Sequence, residues 1–251
     1  MADPKQTIIY IVSHKDFVAP SMAGYVPILA GAARNHADIA TRDDAGDNIS
    51  AKNPEYCELT AQYWVWRNAL NRARNIGFVH YRRYFYTTRT KKQIVPVGQF
   101  AEDLRHYDVV LPEPWILTKT VRDQFTQFHN IADLETVRAI LTERHPDYVA
   151  AFDEVLDGHA LYSYNMFVMS RARFDAYMTW LFDVLGEAER RIDVGSYDQY
   201  NQRLFGFLSE RLLTVWVKAQ HLKIKCYPVY KPDDCWWREA VRNAVKEIIY
   251  R

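Results

Sequence analysis

Hydrophobic positions in this chain alternate between short unbroken runs and longer stretches in which apolar residues recur every three or four places. The runs cover residues 7–12, 76–79, 107–112, 162–169 and 223–229, and polar residues, glycine or proline bound them. Short β-branched or aromatic runs with such borders predict strands buried on both faces. Residues 25–33 are small and apolar, and residues 35–50 form a polar, Asp-rich loop. Helical spacing predicts a helix from Asn53 to Arg74, opened by Pro54 as its first residue, and a shorter one over 99–106. Further helices are predicted over 125–144, 147–157, 171–191, 197–222 and 236–250. The longest carries Phe174, Tyr177, Trp180, Leu181 and Leu185 on one face. Strands alternating with helices predict an α/β fold, a mostly parallel sheet flanked by helices. Ligands in such folds sit beyond the carboxyl ends of the strands.

A chain of 251 residues suits one domain, taken as residues 1–232, followed by an amphipathic helix over 233–251. In that helix Trp237, Val241, Ala244, Val245 and Ile248 form an apolar face beside Arg238, Arg242 and Lys246. The pattern fits packing on the domain or contact with a membrane surface. Thirty-two Lys and Arg against 31 Asp and Glu give a net charge of +1, so no global field points to nucleic acid and an anion site must be local. Cys57, Cys226 and Cys235 are odd in number and lack metal-ligand spacing, which favours a reducing, cytoplasmic setting. The apolar run ending at Val12 is too brief for a signal core or a membrane span.

The densest chemistry lies at His80-Tyr81-Arg82-Arg83-Tyr84-Phe85, where a buried strand opens into a histidine, two arginines and aromatic rings. Arginine's planar fork matches phosphate oxygens two at a time, so a nucleoside diphosphate suits this turn; a solvated basic turn would use the same residues. Ser13, His14 and Lys15 follow the first strand, where nucleotide contacts are common in α/β sheets, or else form a plain turn. Asn165, at the start of an apolar strand, suits a sugar hydroxyl or a satisfied strand-edge amide. Tyr63, Trp64 and Trp66 cannot share one helix face, so part of that set is core.

Six blocks in order carry a resemblance: Val12 to Lys15, Gly46 to Ser50, Tyr56 to Trp64, His80 to Phe85, Tyr164 to Phe167 and Gly206 to Arg211. They resemble a bacterial domain-of-unknown-function family of capsule, exopolysaccharide and lipopolysaccharide O-antigen gene clusters, whose members are regarded as glycosyltransferases. The resemblance implies a GT-A-like, Rossmann-type fold, a nucleotide-sugar donor with UDP as the favoured nucleotide, and a glycan or lipid-linked acceptor at the inner membrane surface. A galactose-type hexose is the choice the pathway context suggests.

Glycosyl transfer leaves negative charge on the departing diphosphate, which Arg82 and Arg83 are placed to stabilise, with His80 and Tyr81 beside them. Where GT-A enzymes place a metal-holding Asp-x-Asp, this chain has His80-Tyr81-Arg82-Arg83. A divalent metal, Mn2+ or Mg2+, then falls to His80, which otherwise donates a hydrogen bond, to the loop acids Asp43, Asp44 and Asp47, or to none; Asn48, in the same block as Asp47, joins the donor-binding candidates. A carboxylate must take the acceptor proton, with Glu210 first, Asp198 next and Glu58 also a candidate. Glu210 equally suits a buried pair with Arg211. A non-catalytic nucleotide-sugar or glycan-binding module of an assembly complex would use the same aromatics and arginines.

Overall fold

The computed structural model describes residues 5–88 and 93–230. In chain order the strands are β1 (Lys5–Ser13), β2 (Tyr25–Leu29), β3 (Ala73–His80), β4 (Tyr84–Phe85), β5 (Val109–Pro112), β6 (Trp115–Ile116), β7 (Ala160–Leu161), β8 (Phe167–Ser170), β9 (Ile224–Tyr227) and β10 (Val229–Tyr230). The helices are α1 (Asn53–Tyr56), α2 (Leu59–Ala69), α3 (Val97–Asp103), α4 (Val121–Thr126), α5 (Ile131–Arg144), α6 (Val149–Asp157), α7 (Arg171–Arg191) and α8 (Leu204–Ala219).

Six strands form the central sheet in the order β2-β1-β3-β8-β5-β9. All neighbours are parallel except β8, which runs antiparallel to both β3 and β5. Alternate residues divide between two cores, which is why the strands read as continuous apolar runs. Ile8, Tyr10 and Val12 of β1, Ile76 and Phe78 of β3, and Phe167 and Met169 of β8 face the larger core under α2 and α5 to α8. Ile9, Ile11, Val79 and Val168 face the smaller one, closed by α3, β4 and Tyr227. Gly77 lies where β1 and β8 close on β3: a Cβ there would come within 2.6 Å of Ile9 Cδ1 and 2.7 Å of Val168 Cγ2.

Three predicted elements break where side chains intercept the backbone. The helix expected from Asn53 to Arg74 stops at Tyr56, because Cys57 turns to φ +51° and the Asn53 amide donates to its carbonyl at 2.7 Å. The helix expected over 125–144 divides into α4 and α5, and Asn130 caps the second by accepting from the Ala132 N–H at 3.1 Å. The strand expected over 162–169 begins only at Phe167, because Tyr164 and Asn165 take φ values of +78° and +52°. The helix expected over 236–250 lies outside the described residues.

Candidate active site

A cleft of about 1430 Å³ opens beyond the carboxyl ends of β1 and β3. Its floor begins with Ser13, His14 and Lys15, which follow β1, and continues through the tight turn at Tyr81 and Arg82, closed by His80 and Arg83 exchanging backbone hydrogen bonds at 3.1 and 3.2 Å. The break at Cys57 brings Glu58 to one wall, and α8 with its lead-in brings Arg203, Phe207, Glu210 and Arg211 to another. The turn at Tyr164 lies between them.

Apart from Lys119, the cleft's positive charge outside ion pairs comes from Lys15, Arg82, Arg83 and Arg203. Among the described residues their contacts are to rings and sulfur. Lys15 and Arg82 lie 5.3 and 5.6 Å from the Tyr81 ring centre, and Arg83 4.4 Å from that of Tyr164. Arg203 Nε donates to Cys57 Sγ at 3.3 Å. Arg83 Nε is buried with no hydrogen-bond partner among the described residues, a costly state for a guanidinium unless a ligand completes it. Partial burial, then the charges of Lys15, Arg82 and Arg203, lower the pKa of His14.

The anionic side of the site is two carboxylates. Glu58 accepts from Asn165 Nδ2 at 2.7 Å, and burial pushes its pKa up against the opposing pull of Asn165, Arg203 and Arg83. Glu210 accepts from the Tyr164 N–H at 2.8 Å and from Arg211 at 3.3 Å. Burial raises its pKa too, with Arg211 opposing and Glu58 adding repulsion. Two carboxylates whose charged forms both suffer from burial, beside unpaired cations, are a common mark of a reacting centre. His80 Nε2 is 2.6 Å from the Tyr164 carbonyl; a carbonyl can only accept, so that nitrogen carries the proton. Burial lowers the His80 pKa to about 4, leaving a neutral imidazole.

Three of the four non-glycine residues with positive φ among those described, Cys57, Tyr164 and Asn165, line or back this cleft. Asn165 is 1% exposed and donates to Glu58 and to the Gly206 carbonyl, so it orients the glutamate from behind. Gly206 also lies close against the Cys57 break: a Cβ there would stand 3.1 Å from Cys57 Sγ.

The structure gathers Ser13, His14, Lys15, His80, Tyr81, Arg82, Arg83 and Glu210 along one cleft, with Asn165 behind it. It places two candidates elsewhere. Asp198 accepts from the Tyr200 and Asn201 N–H groups at 2.9 and 3.0 Å and caps the turn before α8; those bonds lower its pKa. Asn48 closes its own loop through the Gly46 carbonyl and the Ser50 N–H. The three loop acids are likewise engaged. Asp43 is fully buried and accepts from the Gly31 and Ala32 N–H groups, Asp44 pairs with Arg42, and Asp47 with Arg67. No three His, Cys, Asp or Glu side chains converge among the described residues as a metal-holding group. Among the described residues the donor set thus offers no cluster of the several oxygen ligands that a hard divalent cation wants. Tyr63 and Trp66 border a separate groove of about 810 Å³ on α2 and α7, whose charged groups pair with other protein groups, as in Lys52 with Glu189 and His145 with Asp183. Sequence reasoning missed Arg203, Trp115 and Tyr200, which carry no local motif.

No helix among the described residues is long and apolar enough to cross a membrane. No curated protein matches the chain in sequence. Among solved structures, the apo form of the bifunctional glycosyltransferase WbbM superposes with a TM-score of 0.83 at 29% identity. The match covers 92% of this chain and 46% of that one, so the chain spans about half the length of WbbM. The mostly parallel sheet flanked by helices is the GT-A-like fold that the sequence resemblance implies. A family model described as a domain of unknown function, DUF4422, matches residues 8–221, and the chain belongs to that family.

Proposed function

We propose that this protein is a glycosyltransferase that moves a sugar from a nucleoside diphosphate, UDP being the favoured nucleotide, to a hydroxyl of a glycan or lipid-linked acceptor in surface polysaccharide assembly. The observation that carries the reading is the juxtaposition in one cleft of Arg83, whose buried Nε is unpartnered among the described residues, and Glu58, a carboxylate whose pKa burial raises. The likeness to WbbM supports it, and the hexose and its anomeric outcome go beyond that likeness.

In the proposed step the acceptor oxygen attacks the anomeric carbon, the bond from that carbon to the diphosphate breaks with its electron pair leaving on phosphate, and the acceptor proton passes to a carboxylate. Arg82, Arg83, Arg203 and Lys15 face the growing phosphate charge, a role in which fixed donors are worth several kcal/mol. Glu58 is the better base. Its carboxylate accepts from one other residue, whereas that of Glu210 is held by both Tyr164 and Arg211. A raised pKa strengthens a base provided it is ionised at the working pH. Glu210 serves instead to fix the Tyr164 turn. The pressed carboxylates favour an enzyme over a passive binding module, which would gain nothing from burying them.

The test is nucleoside diphosphate release from UDP-, GDP- and dTDP-sugars with a panel of saccharide acceptors, with and without EDTA. Turnover with one nucleotide class that survives EDTA supports the arginine reading. Thermal stabilisation by no nucleotide, together with silence in every turnover assay, sinks it.

A further inference from the structure

The cleft has two chemically different ends. Lys15, Arg82 and Arg83 stand where β1 and β3 finish. The far end, formed by β6 and its following turn, residues 127–129 and Gln199 to Gln202, is built mainly of rings and neutral amides, with Arg203 over the Phe207 ring at 5.4 Å marking its border. Four large hydrophobic side chains stand exposed among the described residues: Val18, Trp115 at 39%, Ile116 at 68% and Tyr200 at 50%. All but Val18 line this one end. Apolar groups gathered at a cavity rim at the expense of water contact mark a ligand surface.

The rings are braced for that role. Tyr200 lies parallel to His129, 9° between planes and 5.6 Å between centres, so one face is backed while half the residue remains open. Burial lowers the His129 pKa, which keeps the backing ring uncharged. Trp115 stands edge-on to Tyr164 at 5.3 Å, and the Tyr164 ring also meets Arg83. The shelf therefore begins where the cationic end stops. Thr118, Gln127, Gln199 and Gln202 interrupt the rings with neutral polar groups, and Lys119 and the bordering Arg203 are the exposed charges.

We propose that this end is the acceptor shelf, and that it takes an uncharged saccharide whose C–H face lies on Trp115 and Tyr200. The assignment rests on the glycosyltransferase reading above. Sugars offer a weakly apolar face edged with hydroxyls, which aromatic rings interleaved with amides match. A hydrocarbon tail would need an unbroken apolar strip, which the glutamines deny. A diphosphate is drawn to the arginine end instead.

The experiment titrates the full chain with methyl glycosides and disaccharides of galactose, glucose, mannose and rhamnose, with octyl glucoside, and separately with UDP, GDP and dTDP. It compares wild type, Trp115→Ala, Tyr200→Ala and Tyr200→Leu. At least one saccharide should bind wild type, and each alanine variant should weaken it about tenfold or more, the loss of roughly one aromatic contact. Tyr200→Leu should fail to restore binding, since bulk without a ring is not enough. Nucleotide affinity should fall far less than saccharide affinity, since the ring contacts of Lys15, Arg82 and Arg83 are to Tyr81 and Tyr164, which neither variant removes. Saccharide binding absent from wild type, unmoved in the alanine variants or restored by leucine overturns the proposal, as does octyl glucoside binding where methyl glucoside does not. Failure of every nucleotide to bind while saccharides still do would instead sink the donor reading and leave the shelf in place.

Discussion

His80 offers a thermodynamic test of the site that needs no substrate. Its Nε2–H donates to the Tyr164 carbonyl, and burial, helped by Arg83 and Arg82 and opposed by that bond and Glu210, lowers its pKa from 6.5 to about 4. Between these values the unfolded chain binds a proton that the folded protein refuses, so stability present above pH 6.5 is lost as the pH falls. Integrating one proton over that window gives about 2 kcal/mol lost by pH 5 and about 3 kcal/mol by pH 4. His80→Gln keeps an N–H near the carbonyl and removes the titration. Urea unfolding of both proteins at pH 7, 6, 5 and 4 should show wild type losing its advantage over the variant by about those amounts, at unchanged m-value. Carboxylates that titrate in both proteins cancel in the difference. A difference that stays flat from pH 7 to 4 would refute the buried neutral ring. One that grows in wild type's favour would mean the imidazolium pairs with Glu210.

Four further outcomes follow from the same geometry. Glu58→Gln keeps an acceptor for Asn165 and should lower turnover by about 10²–10⁴-fold. Because the folded pKa is raised, Glu58 contributes stability that is present below its unfolded pKa and lost as the pH rises through the folded value. The variant should therefore melt above wild type at pH 8, the gap closing towards pH 4, and the wild-type rate should climb with pH through a pKa above that of ordinary glutamate. Arg83→Ala should weaken nucleoside diphosphate binding by about 1.5–3 kcal/mol in calorimetry, with Arg83→Lys recovering only part, since the fork is lost. Turnover should persist in EDTA; complete loss restored by Mn2+ would assign the diphosphate to a metal. Gly77→Ala should cost about 1–3 kcal/mol in urea unfolding, because the added methyl meets Ile9, Val168 and the Phe167 carbonyl.

The sheet was legible because both faces of its strands are buried: the runs at 7–12, 76–79 and 107–112 reappear as β1, β3 and β5. Strand direction was not, since β8 reads like any other apolar run and its antiparallel course depends on where α6 delivers the chain. The arginine turn was legible from its own composition. Glu58 was visible as a candidate, but its place depends on the break at Cys57, which is set by Asn53 and by the close approach of Gly206, 149 residues from Cys57. Asp198 looked like Glu210 in sequence, and what separates them is tertiary: one caps a turn, the other meets the Tyr164 N–H across the fold. Trp115, Tyr200 and Arg203 come from three connections that only the folded chain brings to one rim.

The turn at Tyr164 and Asn165 explains why so many costly choices coincide. Left-handed backbone is tolerable for asparagine and unfavourable for tyrosine, of order 1–3 kcal/mol for a strained residue. That conformation lets one dipeptide serve every wall of the cleft. Its N–H holds Glu210, its carbonyl holds His80, its ring meets Arg83 and Trp115, and the next side chain holds Glu58. Extended backbone here would carry β8 further and turn alternate groups to the opposite face of the sheet, separating the cation end from the carboxylates. The surrounding contacts are sufficient to enforce the strain: Asn165 is 1% exposed and bonded to two elements, and β8 behind it is buried on both faces. Backbone strain, two pressed carboxylates and an unsatisfied arginine are each unfavourable to folding alone. Their convergence on one turn supports the proposed reacting centre over a purely structural turn.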